Sequence, residues 1–354
     1  MFNYNDQITA YHVKNVTIGE DIRSKLRKHR KANQDRLMNN IREGISVSRS
    51  SFVKQGSYAN RTMIQESENN YDIDDGVTLK KEELVGERGA EMTPIQVRDM
   101  ILDALKSDKF KKQPQRLTNC IRVFYDEGHH VDVPSYRKYD DDAGNEVIEI
   151  AGSDWRKSNP AEINSWFESK VSNLKKTRDG RGLQLRRMIR LLKRFCRSRS
   201  SWNMPNGLIM TMLAEEKLPN YERDDECFYY LLSNLNTRLQ ANFRVYNNSD
   251  ESVPKEELTK SDSDANMREL RDRVEEALGK LAILHEADCK KPDARNAWDW
   301  VFKSDGFFKS YDDDHGGDDD DDGGGKSNLG VSSASFAAAA PTKPVDPQGG
   351  GRYG

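Results

Sequence analysis

The chain has 354 residues, enough for two packed domains, and a net charge of −3 from 56 basic and 59 acidic residues. No apolar run approaches the roughly 18 residues needed to cross a bilayer, and the first residues lack the pattern of a secretion signal. Four cysteines are scattered without a CxxC pair, so we expect buried thiols in a reducing compartment. These features argue against membrane and disulfide-rich secreted classes and predict a cytoplasmic protein.

Charge is distributed unevenly along the chain. Residues 311–354 contain nine acidic and three basic residues, a net charge of −6, which leaves +3 on the rest. A mildly basic body suits a polyanionic substrate. Beyond Tyr311 the sequence consists mainly of Asp, Gly, Ser, Ala and Pro, which cannot bury a core. We therefore expect residues 312–354 to form a disordered tail.

Helices and strands are mixed over residues 1–155. Apolar residues at helical spacing predict a long helix over about residues 18–41. Another helix is expected to begin at Thr93, because the segment Thr93 to Gln96 combines a capping box with a proline in the first turn. Strand patterns lie at residues 72–79, 119–125 and 130–133. This mixture, without a βαβ repeat, predicts an α+β fold.

The part from residue 156 to residue 311 is predicted to be almost wholly helical. Pro160 is expected to begin its first helix. Further helices are predicted at about residues 183–197, 207–217, 225–243, 266–287 and 292–302. A second, helical lobe should therefore follow the mixed one.

Two predicted strands carry acidic residues on one face. Side chains alternate along a strand, so Asp72 and Asp74 point the same way while Ile73 points to the core. The same alternation directs Asp132 away from its two flanking valines. Carboxylates this close repel one another unless a cation lies between them, and Mg²⁺ prefers such hard oxygen ligands. If the two strands are neighbours, the three acids can hold two metal ions.

A third motif, Gln-Gly-Ser-Tyr at residues 55–58, precedes the acidic strand. Its glycine and serine offer backbone N–H groups and a hydroxyl close to where phosphates could lie. With Asp-Ile-Asp-Asp-Gly at residues 72–76 and His-Val-Asp-Val-Pro at residues 130–134, this ordered set resembles the cGAS/DncV-like nucleotidyltransferases of the DNA polymerase beta-like superfamily. The resemblance covers roughly residues 15–310 and is strongest over the three motifs.

The resemblance implies a polymerase beta-like catalytic core over residues 1–155 and a helical lobe over residues 156–311 that closes a nucleotide cleft. It implies that nucleoside triphosphates such as ATP and GTP are joined into a cyclic di- or trinucleotide, with release of pyrophosphate, in anti-phage defence signalling (CBASS). Asp72 and Asp74 would bridge two Mg²⁺ ions, with Mn²⁺ as an alternative, and Asp132 would help to deprotonate the attacking hydroxyl through its metal. The implied partner is an effector activated by the product; no membrane and no obligatory nucleic acid are implied.

The predicted helix at residues 183–197 carries a basic stripe formed by Arg186, Arg190, Lys193 and Arg197. The stripe is either a solvated face or a surface that holds the triphosphate. In the resembled family a lysine on such a helix contacts phosphates, and Lys193 is the matching position. Asn206 stands where relatives often carry a phosphate-contacting serine. The residues implied to bind nucleotide are Gln55, Gly56, Ser57, Lys193 and Asn206.

Three further polar residues are given other roles. No cysteine or additional histidine lies at ligand spacing from His129 and His130, so packing or surface exposure is expected for this pair rather than zinc ligation. Asp75 is expected to cap or tune a turn at Gly76.

Two other functions fit the same motifs. A linear oligoadenylate synthetase or an RNA-acting nucleotidyltransferase would use the same acids, although an RNA-acting enzyme should show a larger basic surface than a body charge of +3 implies. A nucleotide sensor without catalysis is disfavoured, because it has no reason to keep three mutually repelling carboxylates. The bases joined, the ring size and the linkage stay open.

The C-terminal residue, Gly354, follows a glycine-rich segment. In some defence operons of the resembled family, a ubiquitin-like activating and conjugating enzyme joins the C-terminal glycine of the nucleotidyltransferase to a target. A thin glycine-rich end could thread into an adenylation site without side-chain clashes. We therefore expect Gly354 to be a conjugation site and residues 312–322 to be a spacer.

Overall fold

The computed structural model describes residues 1–66, 70–86, 89–250 and 254–315. The fold is α+β, as the sequence predicts, with a mixed sheet in the first half of the chain and packed helices in the second. The strands are β1 (Phe52–Gln55), β2 (Asp72–Lys80), β3 (Gln115–Arg116), β4 (Cys120–Phe124), β5 (His130–Asp140), β6 (Glu146–Ala151) and β7 (Trp155–Lys157).

The predicted helices are present with similar bounds, except that the one expected over residues 266–287 ends at Leu281, and the helices at residues 5–11, 56–59 and 307–315 were not predicted. The first four are α1 (Asn5–Tyr11), α2 (Glu20–Asn40), α3 (Gly56–Ala59) and α4 (Pro94–Leu105). The others are α5 (Pro160–Thr177), α6 (Arg181–Cys196), α7 (Gly207–Lys217), α8 (Asp224–Ala241), α9 (Ala265–Leu281), α10 (Lys291–Phe302) and α11 (Phe307–His315). The capping box of α4 is confirmed, because Thr93 Oγ1 accepts from Gln96 N and Gln96 Oε1 accepts from Thr93 N.

The strands form one seven-stranded sheet in the order β1-β2-β5-β4-β3, with β6 and β7 continuing from the far half of β5. Strands β2 and β5 run parallel, whereas β5 is antiparallel to β4 and β6. In this register Asp72 lies beside His130 and Asp74 lies beside Asp132. The condition for assembling the three acids, that their strands be neighbours, is therefore met.

Helices α2 and α4 cover the face of the sheet opposite to the three acids. Ile73 and Val131 are fully buried in the core beneath them. Asp75 also points to this side, where it is 1% exposed and accepts hydrogen bonds from Arg30 and Gln34 of α2, both at 2.7 Å. The prediction of a turn at Gly76 is wrong, because this glycine lies in the middle of β2. Asp75 instead joins the strand to α2.

The helical lobe has its own core, centred on α6. Its buried residues include Leu185, Ile189 and Leu192 of that helix. Helix α1 packs into this lobe and not against the sheet, because Tyr4, Ile8 and Tyr11 belong to the same core. The placement of α1 therefore differs from the predicted domain division, in which all of residues 1–155 belong with the sheet.

The last described helix extends past the predicted start of the tail. Asp312 is 7% exposed and accepts hydrogen bonds from the Tyr4 hydroxyl at 2.8 Å and from Gln7 Nε2 at 3.1 Å. These donors from α1 and the residue before it allow an acidic residue to be buried. The assignment of residues 312–315 to the tail is thus wrong. Residues 316–354, including Gly354, lie outside the described residues.

No helix within the described ranges is both long and apolar enough to cross a membrane.

Candidate active site

The three predicted acids line one cavity of about 370 Å³ between the sheet and the helical lobe. Asp72 and Asp74 reach it from β2, and Asp132 reaches it from the adjacent β5. Asp132 is 1% exposed, whereas the side chain of Asp72 is about half exposed at the cavity rim. The helical lobe supplies the opposite wall through residues of α6 and α7. Two lobes and two strands thus converge on a single group of carboxylates.

Arg122 is a component of this cavity that the sequence reasoning missed. It lies on β4 directly opposite Asp132, and it donates from Nε and Nη2 to the two carboxylate oxygens of that residue, both at 2.8 Å. Its Nη2 also comes within 3.6 Å of Asp72 Oδ1. Alternation along Cys120–Phe124 could have placed Arg122 on one sheet face, but only the pairing of β4 with β5 puts it beside Asp132.

The donor set suits a hard divalent cation. Carboxylates that converge on one cavity require a positive charge, and here the Arg122 guanidinium supplies it. In the arrangement seen, no three Asp, Glu, His or Cys side chains of the described ranges are placed to hold a metal ion together. Both oxygens of Asp132 accept hydrogen bonds from Arg122 instead. Carboxylate oxygens are nevertheless the ligands that Mg²⁺ selects. The residues that would hold such ions are Asp72, Asp74 and Asp132.

Gly56 is needed for the approach of α3 to β2. Its φ of +58° lies in the left-handed region, and a Cβ at this position would lie 2.6 Å from Asp74 Oδ2. A side chain would therefore both strain the backbone and push the carboxylate aside. Gly56 and Ser57 line the same cavity as the acids, and their contact with phosphate stays a prediction.

Gln55 supports the site from inside the sheet. Its Oε1 accepts a hydrogen bond from the Tyr136 hydroxyl at 3.0 Å, and the residue is 5% exposed. A Cβ at Gly76 would lie only 2.0 Å from Gln55 Nε2, so glycine at this strand position makes room for the carboxamide. This packing gives the Gln55 side chain a structural role beside the cavity that the residue also lines.

Most of the basic stripe of α6 is turned inward: Arg186 and Lys193 are buried and Arg190 is half-buried, whereas the Arg197 side chain is about half exposed. Arg186, Arg190 and Lys193 donate to the backbone carbonyls of Asn60, Arg61 and Thr62 respectively, and Arg197 pairs with Glu66. The stripe therefore holds the segment that follows α3. Of its members, Lys193 and Arg197 line the cavity of the three acids.

Lys193 is buried beside this cavity. It is 5% exposed, and its Nζ donates to Thr62 O at 3.3 Å and Thr62 Oγ1 at 3.2 Å. Burial, followed by the positive charges of Arg197 and Arg190, lowers the pKa of Lys193 to about 7. An anion that entered the cavity would favour the protonated form.

Asn206 is the N-cap of α7. Its Oδ1 accepts from the backbone N–H groups of Leu208 and Ile209, both at 3.0 Å. The oxygen is thus used in capping, and a contact with phosphate would have to come from Nδ2. Asn206 also lines the cavity, so the position predicted from the resemblance is close to the three acids.

The histidine pair divides between two environments. His129 is buried, 1% exposed, against the rings of Tyr71 and His29. His130 Nδ1 lies 3.4 Å from Asp72 Oδ1 at the cavity rim. Burial alone would raise the pKa of Asp72, but His130 and the charge of Arg122 outweigh it and hold that pKa below its ordinary value. The carboxylate of Asp72 is therefore kept ionised.

Comparison with known proteins agrees with this geometry. Residues 50–136, which contain all three motifs, match the family "Cyclic GMP-AMP synthase DncV-like, nucleotidyltransferase domain". The fold is similar to that of the CD-NTase CdnG from Bradyrhizobium diazoefficiens, solved in complex with GTP, with 14% identity, a TM-score of 0.66, and coverage of 88% of this chain and 100% of that one.

Two structures of the cyclic AMP-GMP synthase DncV from Vibrio cholerae are similar as well. One contains the linear intermediate 5′ pppA(3′,5′)pG and the other is bound to GTP. Both are 16% identical to this chain, with a TM-score of 0.66 and coverage of 85% of this chain. The matches cover 96% and 95% of DncV, respectively. This chain thus shares the fold of CdnG and DncV. In sequence, residues 50–136 are similar to the nucleotidyltransferase domain of the cGAS/DncV-like family.

Proposed function

We propose that this protein joins nucleoside triphosphates into a cyclic di- or trinucleotide second messenger. The observation that carries the proposal is the convergence of Asp72, Asp74 and Asp132 on one cavity that also contains Gly56, Ser57 and Lys193. Carboxylates for metal ions, a close-approach turn and a cation for phosphate are the parts that phosphoryl transfer requires. DncV, which has a similar fold, was solved with a linear dinucleotide intermediate.

In the proposed reaction a ribose hydroxyl of one nucleotide attacks the α-phosphorus of another. The hydroxyl proton passes to solvent with the help of Asp132, a P–O bond to the ribose forms, the bond from Pα to the bridging oxygen breaks, and pyrophosphate leaves with the electron pair. A second attack within the linear product closes the ring. Lys193 holds phosphate charge, Gly56 lets the phosphates approach α3 closely, and the three aspartates fix the reacting end.

The proposed cofactors are two Mg²⁺ ions, with Mn²⁺ as a substitute, held by Asp72, Asp74 and Asp132. Such ions, when bound, activate an attacking oxygen and stabilise the developing charge on a leaving pyrophosphate. The contribution of this chain is the strand pairing, because the β2–β5 register places Asp74 directly beside Asp132.

We also propose a cellular setting that rests on the resemblance of the sequence. The protein would act in the cytoplasm in anti-phage signalling, and its product would activate an effector. A ubiquitin-like activating and conjugating enzyme would join Gly354 to a target. Co-expression with such enzymes should give a species of higher mass that Gly354→Glu removes; wild-type protein that never forms an adduct would contradict this part.

The experiment for the central proposal is incubation of the purified protein with the four labelled triphosphates and Mg²⁺. Products that resist phosphatase and have the mass of a cyclic di- or trinucleotide are expected. A ladder of phosphatase-sensitive linear oligomers would instead favour a linear oligoadenylate synthetase, and products formed only on added RNA would favour an RNA-acting enzyme.

A further inference from the structure

A second cavity, of about 510 Å³, lies on the other side of α3 from the three aspartates. Gly56 and Ser57 face the active-site cavity, whereas Tyr58 and Ala59 of the same helix line this second one. Among the described residues, the linings of the two cavities have only Met63 in common. The second cavity is therefore a separate space that shares a thin wall with the first.

The second cavity is strongly basic. Its wall contains two acidic side chains, Glu20 and Glu168, which are already paired with Arg27 and Arg186. Its basic side chains are Arg23, Arg27, Lys54, Arg61 and Arg190.

Three of these cations form no close ion pair in the part of the chain that the structure describes, although Arg23 acts electrostatically on Glu20 and Lys54 acts on Asp75. Within the described ranges, Arg23, Lys54 and Arg61 form no ion pair, and all three side chains line the cavity. One of these charges acts on a neighbour in the same wall: burial, then the charge of Arg23 on α2 and the charges of Arg186 and Arg187 on α6, lowers the pKa of Arg190 to about 10. Like charges held close together, in excess of the acidic side chains around them, favour an anion between them.

The backbone holds one of these cations in an uncommon conformation. Arg61 has a φ of +57°, in the left-handed region that residues with a side chain rarely adopt. Arg190 fixes this conformation, because its Nε and Nη2 donate to Arg61 O at 3.1 and 2.6 Å. Such strained positions cluster at binding sites, where the surrounding structure maintains them. Here the hydrogen bonds from Arg190 keep Arg61 in the wall of the second cavity.

We propose that this second cavity, lined by Arg23, Lys54 and Arg61, binds a small polyanion that carries at least two phosphate groups. Its volume is that of a site for a nucleotide-sized molecule. Arginine and lysine are the side chains that bind phosphate, and Tyr58 offers a ring at the same wall. Because α3 forms the shared wall, an occupied second cavity can influence Gly56 and Ser57 on the other side. This inference does not depend on the proposed reaction.

Binding of inorganic tripolyphosphate to the full chain, measured by calorimetry in EDTA at low salt, tests the proposal. Without divalent ions the three aspartates disfavour an anion in the active site, so the second cavity should give the saturable signal. The double variant Arg23→Gln/Lys54→Gln should bind about tenfold more weakly, because two charge-assisted contacts are lost. Its matched control is Lys25→Gln/Lys28→Gln, which removes the same charge from exposed positions on α2.

A second variant, Arg61→Gly, removes the side chain and retains a residue suited to the left-handed backbone. It should also weaken tripolyphosphate binding while the protein stays folded. ATP in place of tripolyphosphate separates the possible ligands: tighter binding of ATP assigns a nucleoside polyphosphate, and equal binding assigns the phosphates alone. The proposal is overturned if no saturable binding occurs, if both double variants weaken binding equally, or if Lys193→Ala abolishes binding that Arg23→Gln/Lys54→Gln leaves intact.

Discussion

Arg122 and Asp132 form a bidentate ion pair across β4 and β5, with both N–O distances at 2.8 Å, in the centre of the candidate active site. The guanidinium supplies the positive charge that the group of carboxylates requires. A divalent ion at the same carboxylates would compete with this contact, so the affinity of the site for metal includes the energy of moving Arg122 aside.

Replacing Arg122 with Gln should therefore strengthen metal binding in the absence of nucleotide. We expect Mn²⁺ to bind about tenfold more tightly, because a competing cation is removed. Unfolding without metal should become easier by about 3 kcal/mol, since Asp132 stays buried without its partner. Electron paramagnetic resonance and thermal melts measure the two effects. The control is Arg116→Gln, which breaks an exposed ion pair between Arg116 of β3 and Asp99 of α4. Equal Mn²⁺ affinity in the two variants would contradict the competition.

Gly56→Ala should lower the rate of product formation at least about tenfold, because the new Cβ would displace the Asp74 carboxylate from which it is only 2.6 Å away. The left-handed backbone should also cost about 1 kcal/mol of stability. Gly44→Ala is a matched control, since Gly44 has a φ of +86° but nothing within 4 Å of an added Cβ. It should lose similar stability and keep its activity. Equal loss of activity in both variants would assign the effect to backbone strain alone.

Lys193 should make triphosphate use dependent on pH. With a pKa of about 7 in the unliganded protein, Lys193 is protonated below pH 7 and neutral above it. Affinity for the anion should therefore fall, and the apparent KM should rise, as the pH increases through 7. Lys193→Met should raise KM about tenfold at pH 6.5 and flatten this dependence. The control is Arg194→Ala, because the Arg194 side chain lies on another face of α6 and donates to the Tyr11 hydroxyl of α1. A pH profile unchanged by Lys193→Met would contradict the assignment.

The same pKa predicts how stability varies with pH. The folded-state pKa of Lys193 lies below the value of about 10.4 for an unfolded lysine, so between pH 7 and pH 10.4 the unfolded state binds more protons. The contribution of Lys193 to the free energy of unfolding should thus rise with pH over this window. Lys193→Met should raise Tm at pH 6.5, where the buried ammonium is charged, and should raise it less at pH 9. A larger gain at pH 9 would reverse the predicted sign.

The positions of the three aspartates were predictable because they depend on local rules. Alternation along a strand fixes which way Asp72, Asp74 and Asp132 point, whatever the rest of the chain does. Arg122 was not predictable in this way, because its contact with Asp132 depends on the pairing of β4 with β5. The same holds for Asp75, whose partners Arg30 and Gln34 lie on a helix more than 40 residues earlier.

Long-range contacts also explain the misplaced ends of the chain. Composition alone assigns Asp312 to a solvated tail, since a run of aspartates cannot form a core. Its burial depends on Tyr4, 308 residues away in sequence, and no local pattern reports that contact. Likewise, α1 carries a few apolar residues that could pack on either lobe. The choice of lobe depends on contacts made only in the folded protein, such as the hydrogen bond from Tyr4 N to Asp225 at 2.8 Å.

The most direct measurement compares Asp74→Asn with Asp75→Asn in the formation of cyclic product from triphosphates and Mg²⁺. The two residues are neighbours on β2, but Asp74 faces the cavity and Asp75 faces Arg30. Asp74→Asn should abolish the product while the protein stays folded. Asp75→Asn should weaken a buried ion pair, lower Tm and leave the product forming at temperatures where the variant is folded. Wild-type rates from Asp74→Asn would contradict the account.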